Sequence, residues 1–350
     1  MALENWIKKE ILDQPAYNVK TVDYRIKLNQ NECPWDFPIE MKTDITDKIL
    51  NADWNRYPAL IPRQLQEKIA KKINVRQDQV IVGKGSNEVL QAIITAGITH
   101  SKVCTLSPTF VVYRMLAEQN GATVVTSNLD GLFHVNRHDL LEKSKDCGLI
   151  ILCNPNSPTG TLIDTKTILE VLQSASGLVI IDEAYAEFSD ATLIPVIDDY
   201  PNLIITRTFS KVFGLAGFRM GYGVMSSVLA NQVQKSMLPF NIDMPSAIAA
   251  ETILDHQNQI RDRVRVIISE RERISSALNG MEGFKVYPSA ANFIVVKAQI
   301  GTKTLFNRLA KQGILIRDIS AYRGCENMAR ITVGTPAENT KLIEAIENIR

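Results

Sequence analysis

Seven short apolar runs punctuate the first two-thirds of the chain: QVIVG (79–83), KVCTL (102–106), ATVVT (122–126), GLIILC (148–153), LVIID (178–182), NLIIT (202–206) and RMGYGV (219–224). They are continuous rather than alternating, and rich in Val and Ile. That is the signature of strands buried on both faces. Between them lie stretches with helical spacing, such as SNEVLQAIITAG, FVVYRMLAEQNG and DTKTILEVLQSA, with glycine stops at Gly97 and Gly121. Strands alternating with helices predict an α/β domain with a mostly parallel sheet. From about residue 243 the pattern changes. One long helix is predicted over roughly 243–279, ending at Asn279-Gly280. After it come FKVYPS, NFIVVK, a helix near 302–312, GILIRD, ARITVG and a C-terminal helix, which read as a smaller α+β unit. The expected division is a large domain over 28–250 and a small one from 1–27 and 251–350, joined by the long helix. No repeat or flexible linker separates them, so a closely packed pair with a cleft is expected.

Composition sets outer bounds. The 350 residues leave room for about two domains of roughly 150 residues each. With 45% hydrophobic and 22% charged residues, the chain has the balance of a globular protein, which excludes a disordered or fibrous one. Lys+Arg (39) and Asp+Glu (38) nearly cancel, so no basic excess points to nucleic acid. No apolar run approaches the roughly 18 residues of a membrane span. The opening MALENWIKKE is charged almost at once, so no signal peptide is expected and a cytoplasmic location is. Five scattered cysteines, with no CxxC, fit a reducing compartment better than a disulfide framework. His134 and His138 have the spacing of a zinc pair but lack accompanying cysteines; they are read as flanking a helix start.

Three polar turns each follow an apolar run. TRTFSKVFGLAGFRMGYG (206–223) puts Lys211 on a glycine-rich turn and Arg219 eight residues later. Read alone, it describes a solvated turn equally well. LVIIDEAYAEF (178–188) closes a strand with Asp182 and brings Tyr185 three residues on; alone, Asp182 reads as a helix cap. CNPNSPTG (153–160) is a rigid polar loop. Ligands of open α/β sheets bind at the carboxyl ends of strands, so the three turns are expected to meet there. A desolvated lysine can form a Schiff base, a carboxylate can keep a pyridine nitrogen protonated, and an arginine can take a phosphate bidentately. Together these describe a pyridoxal phosphate site. GKGSNEVLQ (83–91) adds a strand running into a helix that starts near Ser86, where free N–H groups favour a phosphate.

With these pieces assembled, the chain resembles the fold-type I pyridoxal-phosphate aminotransferases of the histidinol-phosphate aminotransferase family. The carrying motifs are LNQNECP (28–34), RYP (56–58), GSNE (85–88), SPTF (107–110), NPNSPTG (154–160), IIDEAY (180–185), TFSKVFGLAGFRMGY (208–222), ILIRD (314–318) and ARITVG (329–334), in the family's order along nearly the whole chain. The resemblance implies a mixed, mostly parallel sheet flanked by helices, with a smaller α+β domain. It implies that Lys211 carries the cofactor, Asp182 pairs with its ring nitrogen and Tyr185 meets its phenolic oxygen. Thr208, Ser210 and Arg219 would bind the phosphate with the backbone of Gly85, Ser86 and Asn87. Phe110 would stack on the ring where the family usually has tyrosine. Tyr57 would reach a partner subunit's cofactor, implying a homodimer with shared sites. The family usually has asparagine directly before PTG; here Ser157 stands there, and it is expected, ahead of Asn156, to face the phenolic oxygen.

On the substrate side, the resemblance gives Arg330 an α-carboxylate or the substrate phosphate. Arg317 and Tyr17 complete an anion pocket for histidinol phosphate, and Asn29 and Glu32 stand near the substrate. The implied reaction is transamination between histidinol phosphate and 2-oxoglutarate, with Lys211 moving the substrate's Cα proton. Threonine-phosphate decarboxylase and aromatic amino acid aminotransferase activities are the alternatives on the same scaffold.

Overall fold

The computed structural model describes residues 6–14, 23–97 and 102–349. Tyr17 lies outside them. In chain order the strands are β1 (Ile26–Lys27), β2 (Val80–Gly83), β3 (Lys102–Ser107), β4 (Thr123–Asn128), β5 (Leu149–Cys153), β6 (Leu178–Asp182), β7 (Leu203–Thr208), β8 (Gly221–Met225), β9 (Phe284–Tyr287), β10 (Phe293–Ala298), β11 (Ile314–Leu315), β12 (Arg317–Asp318) and β13 (Met328–Thr332).

Seven of them form one sheet in the order β2-β8-β7-β6-β5-β3-β4. All its pairings are parallel except those of β8, which runs against β7 and β2. The predicted runs become these strands because both faces are covered. Ile150 and Leu152 of β5 face one helical layer, while Leu149, Ile151 and Cys153 face the other. The first layer includes the helices Arg63–Ile73, Arg137–Ser144 and Thr165–Ser174; the second is Gly85–Gly97, Val111–Gln119 and Ser227–Val233. A four-stranded antiparallel sheet, β12-β13-β10-β9, forms the smaller unit, and β1 pairs with β11 beside it. The first apolar layer continues without a break into this unit through Phe293, Val295 and Ile331.

Two expectations change. The helix predicted over 243–279 is two helices, Met244–Leu254 and Gln257–Asn279. His256 leaves helical geometry (φ −102°, ψ 44°), and Asp255 turns out to pair with Lys68 at 2.6 Å. The first helix is apolar on several sides and wedged into the core, whereas the second buries one stripe, Ile260, Ile267, Ile274 and Leu278. Burying both faces requires the axis to turn, and with neither Pro nor Gly at the break the sequence carried no sign of it. GILIRD likewise splits: β11 pairs with β1, and β12 pairs with β13. Around the two histidines, a helix does begin at Arg137, and Asn136 caps it by accepting from the Asp139 N–H. Among the described residues, no group of three or more His, Cys, Asp or Glu side chains is arranged to hold a metal, and no helix is long and apolar enough to cross a membrane.

Candidate active site

Because β8 alone is reversed, the carboxyl ends of β2, β3, β5, β6 and β7 share one edge with the beginning of β8. The loops leaving or entering that edge line a cavity of about 290 Å³. Its walls include Glu32, Ser86, Asn87, Phe110, Ser157, Asp182, Tyr185, Thr208, Ser210, Lys211 and Arg219 among the expected residues, joined by Gln30, Tyr113 and Cys153.

The lysine turn is anchored from below. Phe209, Val212 and Phe213 are buried, and Leu215 N–H donates to the Phe209 carbonyl at 3.0 Å. That leaves Ser210 and Lys211 on the cavity side. The Ser210 N–H donates to Thr208 Oγ1 at 3.0 Å. Arg219, in left-handed backbone (φ 55°), donates to Ser210 Oγ at 3.4 Å and the Ala216 carbonyl at 3.1 Å. The helix Gly85–Gly97 starts beside it. A Cβ on Gly85 (φ 78°) would stand 2.9 Å from Arg219 Nη2, and one on Gly221 would stand 2.2 Å from the Ser86 nitrogen. Two glycines thus let a helix N-terminus, two hydroxyls and a guanidinium crowd one corner, which is the donor set of a phosphate.

Asp182 closes β6 at the floor of the cavity. Its Oδ2 accepts from the Tyr113 hydroxyl at 2.6 Å and its Oδ1 from the Ala184 N–H at 3.2 Å. Burial raises its pKa, and the Tyr113, Thr206 and Ala184 donors oppose that rise. Tyr185 packs its ring edge against Phe293 at 5.3 Å, and its hydroxyl accepts from Asn31 Nδ2 at 3.0 Å. The Lys211 Nζ donates to the Gln30 carbonyl at 3.0 Å. Burial, reinforced by the Arg330 charge, lowers the Lys211 pKa to about 7. An amine so tuned is largely available as a nucleophile and base near neutrality.

Arg330 donates to Ser157 Oγ at 3.3 Å and to the Asn29 carbonyl at 3.1 Å. It lies within β13 rather than at its start, directly opposite Arg317 of β12, so the two arginines share a face of the sheet. Arg317 is not part of the cavity wall. Asn156 is turned inward, donating to the Pro108 carbonyl and Thr159 Oγ1, while Ser157 lines the cavity. Asn29 is buried and contributes its carbonyl; Glu32 lines the cavity and pairs with Lys27. Tyr57 is 82% exposed, stacked on Phe240 at 4.8 Å, and takes no part in this chain's cavity.

The arrangement fits pyridoxal phosphate. The phosphate corner, the aromatic wall of Phe110, the buried carboxylate of Asp182, the phenol of Tyr185 and the amine of Lys211 meet in one cavity.

Five participants were not foreseen. Tyr113 lies three residues beyond Phe110, and only the helix places its hydroxyl on Asp182. Asn31 sits inside LNQNECP, but its left-handed backbone (φ 56°), which orients its amide, has no mark in the sequence. Gln30 acts through its backbone carbonyl. Glu183 and Arg207 form a buried ion pair, Nη2 to Oε2 at 2.6 Å, on the opposite side of the strand ends from Asp182. The Glu of DEAY and the Arg of RTFSK were its only trace.

Comparison with known proteins agrees with this geometry. The model of the family "Aminotransferase class I and II" matches residues 24–346. A histidinol-phosphate aminotransferase of Caldanaerobacter subterraneus subsp. tengcongensis is 36% identical over 351 residues, covering 99% of both chains. One from Ruminiclostridium cellulolyticum is also 36% identical, covering 98% of both. The solved structure of the histidinol-phosphate aminotransferase from Clostridium acetobutylicum superimposes with a TM-score of 0.86 at 27% identity, covering 93% of this chain and 98% of that one. A lysine turn, a buried carboxylate and a phosphate corner on one sheet edge, within a full-length family match, lead to one conclusion: the chain belongs to the class I and II aminotransferases.

Proposed function

We propose that this protein is a pyridoxal-phosphate-dependent transaminase that interconverts histidinol phosphate and 2-oxoglutarate with imidazole-acetol phosphate and glutamate, a step of histidine biosynthesis. The observation that carries the reading is the convergence of the Lys211 amine and the Asp182 carboxylate on one cavity, with the Arg330 guanidinium bonded from outside to Ser157 of its wall. When bound, the cofactor supplies a covalent hold on the amino group and a sink for the electrons of the Cα–H bond.

This chain's residues do the rest. Lys211, neutral in a large fraction near pH 7, would take the proton from the substrate Cα and deliver it to the cofactor carbon bonded to the same nitrogen, so that the proton changes carbon. Asp182 would pair with the ring nitrogen and favour its protonated form. Tyr185 and Ser157 would bond the phenolic oxygen, and Phe110 would stack on the ring. Gly85, Ser86, Asn87, Thr208, Ser210 and Arg219 would hold the phosphate. Arg330 takes the carboxylate or phosphate of the substrate, with Arg317 on the same face; Tyr17 and Asn29 complete the substrate-binding set that the family resemblance implies. Arg330 donates to the Asn29 carbonyl, and Asn31 bonds the Tyr185 hydroxyl and Thr332 Oγ1, so the segment 29–31 is fastened to β13 and to Tyr185.

The working unit is a homodimer. Tyr57 and Phe240 present a stacked aromatic pair to the outside, next to an apolar groove lined by Pro58, Leu60, Ile61, Ile242 and Ile248. A second copy seated there would receive Tyr57 at its own phosphate corner. The balance of charge and the biosynthetic reaction fit the cytoplasm. The names of the full-length relatives weigh against threonine-phosphate decarboxylase and aromatic aminotransferase activities. The test is turnover of purified enzyme with histidinol phosphate and 2-oxoglutarate, followed by glutamate formation. Release of carbon dioxide from threonine phosphate without a keto acid, or a preference for phenylalanine, would overturn the substrate assignment.

A further inference from the structure

We infer that Tyr113 is a positioning residue that acts through Asp182: its buried phenol keeps that carboxylate ionised and aimed into the cavity, and so sets where the proton shared with the cofactor's ring nitrogen resides. The inference rests on the reading of the cavity as a pyridoxal phosphate site.

The geometry is specific. Tyr113 belongs to the helix Val111–Gln119, whose start is fixed by Phe110 on the cavity wall, and the two rings meet edge to face at 5.5 Å. The Tyr113 side chain is only 1% exposed, and its hydroxyl donates to Asp182 Oδ2 at 2.6 Å. The Ala184 N–H occupies Oδ1. The Thr206 hydroxyl on the neighbouring strand also lowers the cost of the Asp182 charge, after Tyr113 and ahead of Ala184, and Glu183 beside it opposes. Tyr113, the strongest of the donors, and Ala184 take one oxygen each and fix the carboxylate plane.

The chemistry follows from burial. A carboxylate out of water prefers to be neutral, and would then take the proton from a pyridinium facing it. A phenol donating to the anion, and losing that bond's strength if the acid form appears, opposes this. Tyr113 is well suited to such a role: its own pKa is raised, chiefly by burial and then by the Asp182 charge, so it remains a donor. The hydrogen bond therefore tilts a shared proton toward the ring nitrogen, the state in which the ring withdraws electrons best.

The experiment uses the purified protein reconstituted with pyridoxamine 5′-phosphate, which binds without a covalent link, and with the ring-¹⁵N cofactor. In Tyr113→Phe, which removes one oxygen and keeps the shape, affinity for pyridoxamine 5′-phosphate should fall about tenfold to a hundredfold, the range of a charge-assisted hydrogen bond. The ring ¹⁵N resonance should move toward that of an unprotonated pyridine. Tyr113→3-fluorotyrosine, a stronger donor of nearly the same shape, should move it the opposite way. In an Asp182→Asn background the Tyr113→Phe change should cost less than about twofold, because its partner charge is gone. Unchanged affinity and resonance, or the same loss in both backgrounds, would make Tyr113 a packing residue and overturn the inference. Failure of the unmodified protein to bind the cofactor would instead overturn the reading of the cavity on which the inference rests.

Discussion

Lys211 carries a cost that its position imposes. Its folded pKa of about 7 lies far below the roughly 10.4 of an unfolded lysine, so the unfolded chain binds the proton more tightly. The folded apoprotein is therefore destabilised in full below about pH 7, and the cost fades as pH rises toward 10.4. Lys211→Met should raise the melting temperature of the apoprotein at pH 6–7, with the gain shrinking toward pH 10; a gain independent of pH would mean that packing, not charge, is responsible. Arg317 makes a second prediction. Replacing it by Ala should cost kcat/KM for histidinol phosphate about one to two decades more than for phenylalanine, since only the former brings a phosphate. Equal losses would leave Arg317 a structural part of β12. At this scale the sequence is legible where chemistry and position coincide. Asp182 closes an apolar run, Lys211 follows one and Arg219 opens one, and residue type together with location marks them. Tyr113 and Asn31 are invisible because a helix turn and a left-handed φ, not their type, bring them to the site.

The ends of β6 and β7 alternate, as strands must. Asp182 points into the cavity, whereas Glu183 turns to the other side and meets Arg207. Glu183 also accepts from the Leu193 N–H at 2.7 Å and the Thr192 hydroxyl at 2.8 Å, so a buried anion has its lone pairs filled. The pair ties together the two strands that deliver Asp182 and the Thr208–Lys211 turn. Arg207→Met should destabilise the protein by about 3–5 kcal/mol in denaturant unfolding, because Glu183 would be left buried without its countercharge. A loss under 1 kcal/mol would show that water reaches Glu183. The strands themselves were legible from continuous apolar runs, since burial on both faces leaves no alternation to misread. The break between Leu254 and Gln257 was not: a helix can turn for the sake of packing with no glycine or proline to announce it. GILIRD divided for a related reason, as its halves pair with strands distant in sequence.

Across the molecule, one apolar layer extends from the seven-stranded sheet into the four-stranded one. The wholly exterior placement of Tyr57 leads to a prediction about assembly. If Tyr57→Phe is itself impaired, mixing it with Lys211→Ala should restore activity above that of either variant alone, through hybrid dimers with one complete site. A fully active monomer in sedimentation would remove the shared site. The single reversed strand has a further consequence. With β8 turned, all the functional side chains of the large sheet gather at one edge, and the opposite edge is left with plain connections such as Lys145–Asp146 and Pro201–Asn202, where Lys145, Asp146 and Pro201 are exposed. A tether, fluorophore or fused domain attached at Lys145 would then sit a full strand length from the chemistry. The same polarity that concentrates the active groups makes the far side a natural handle for immobilising the enzyme.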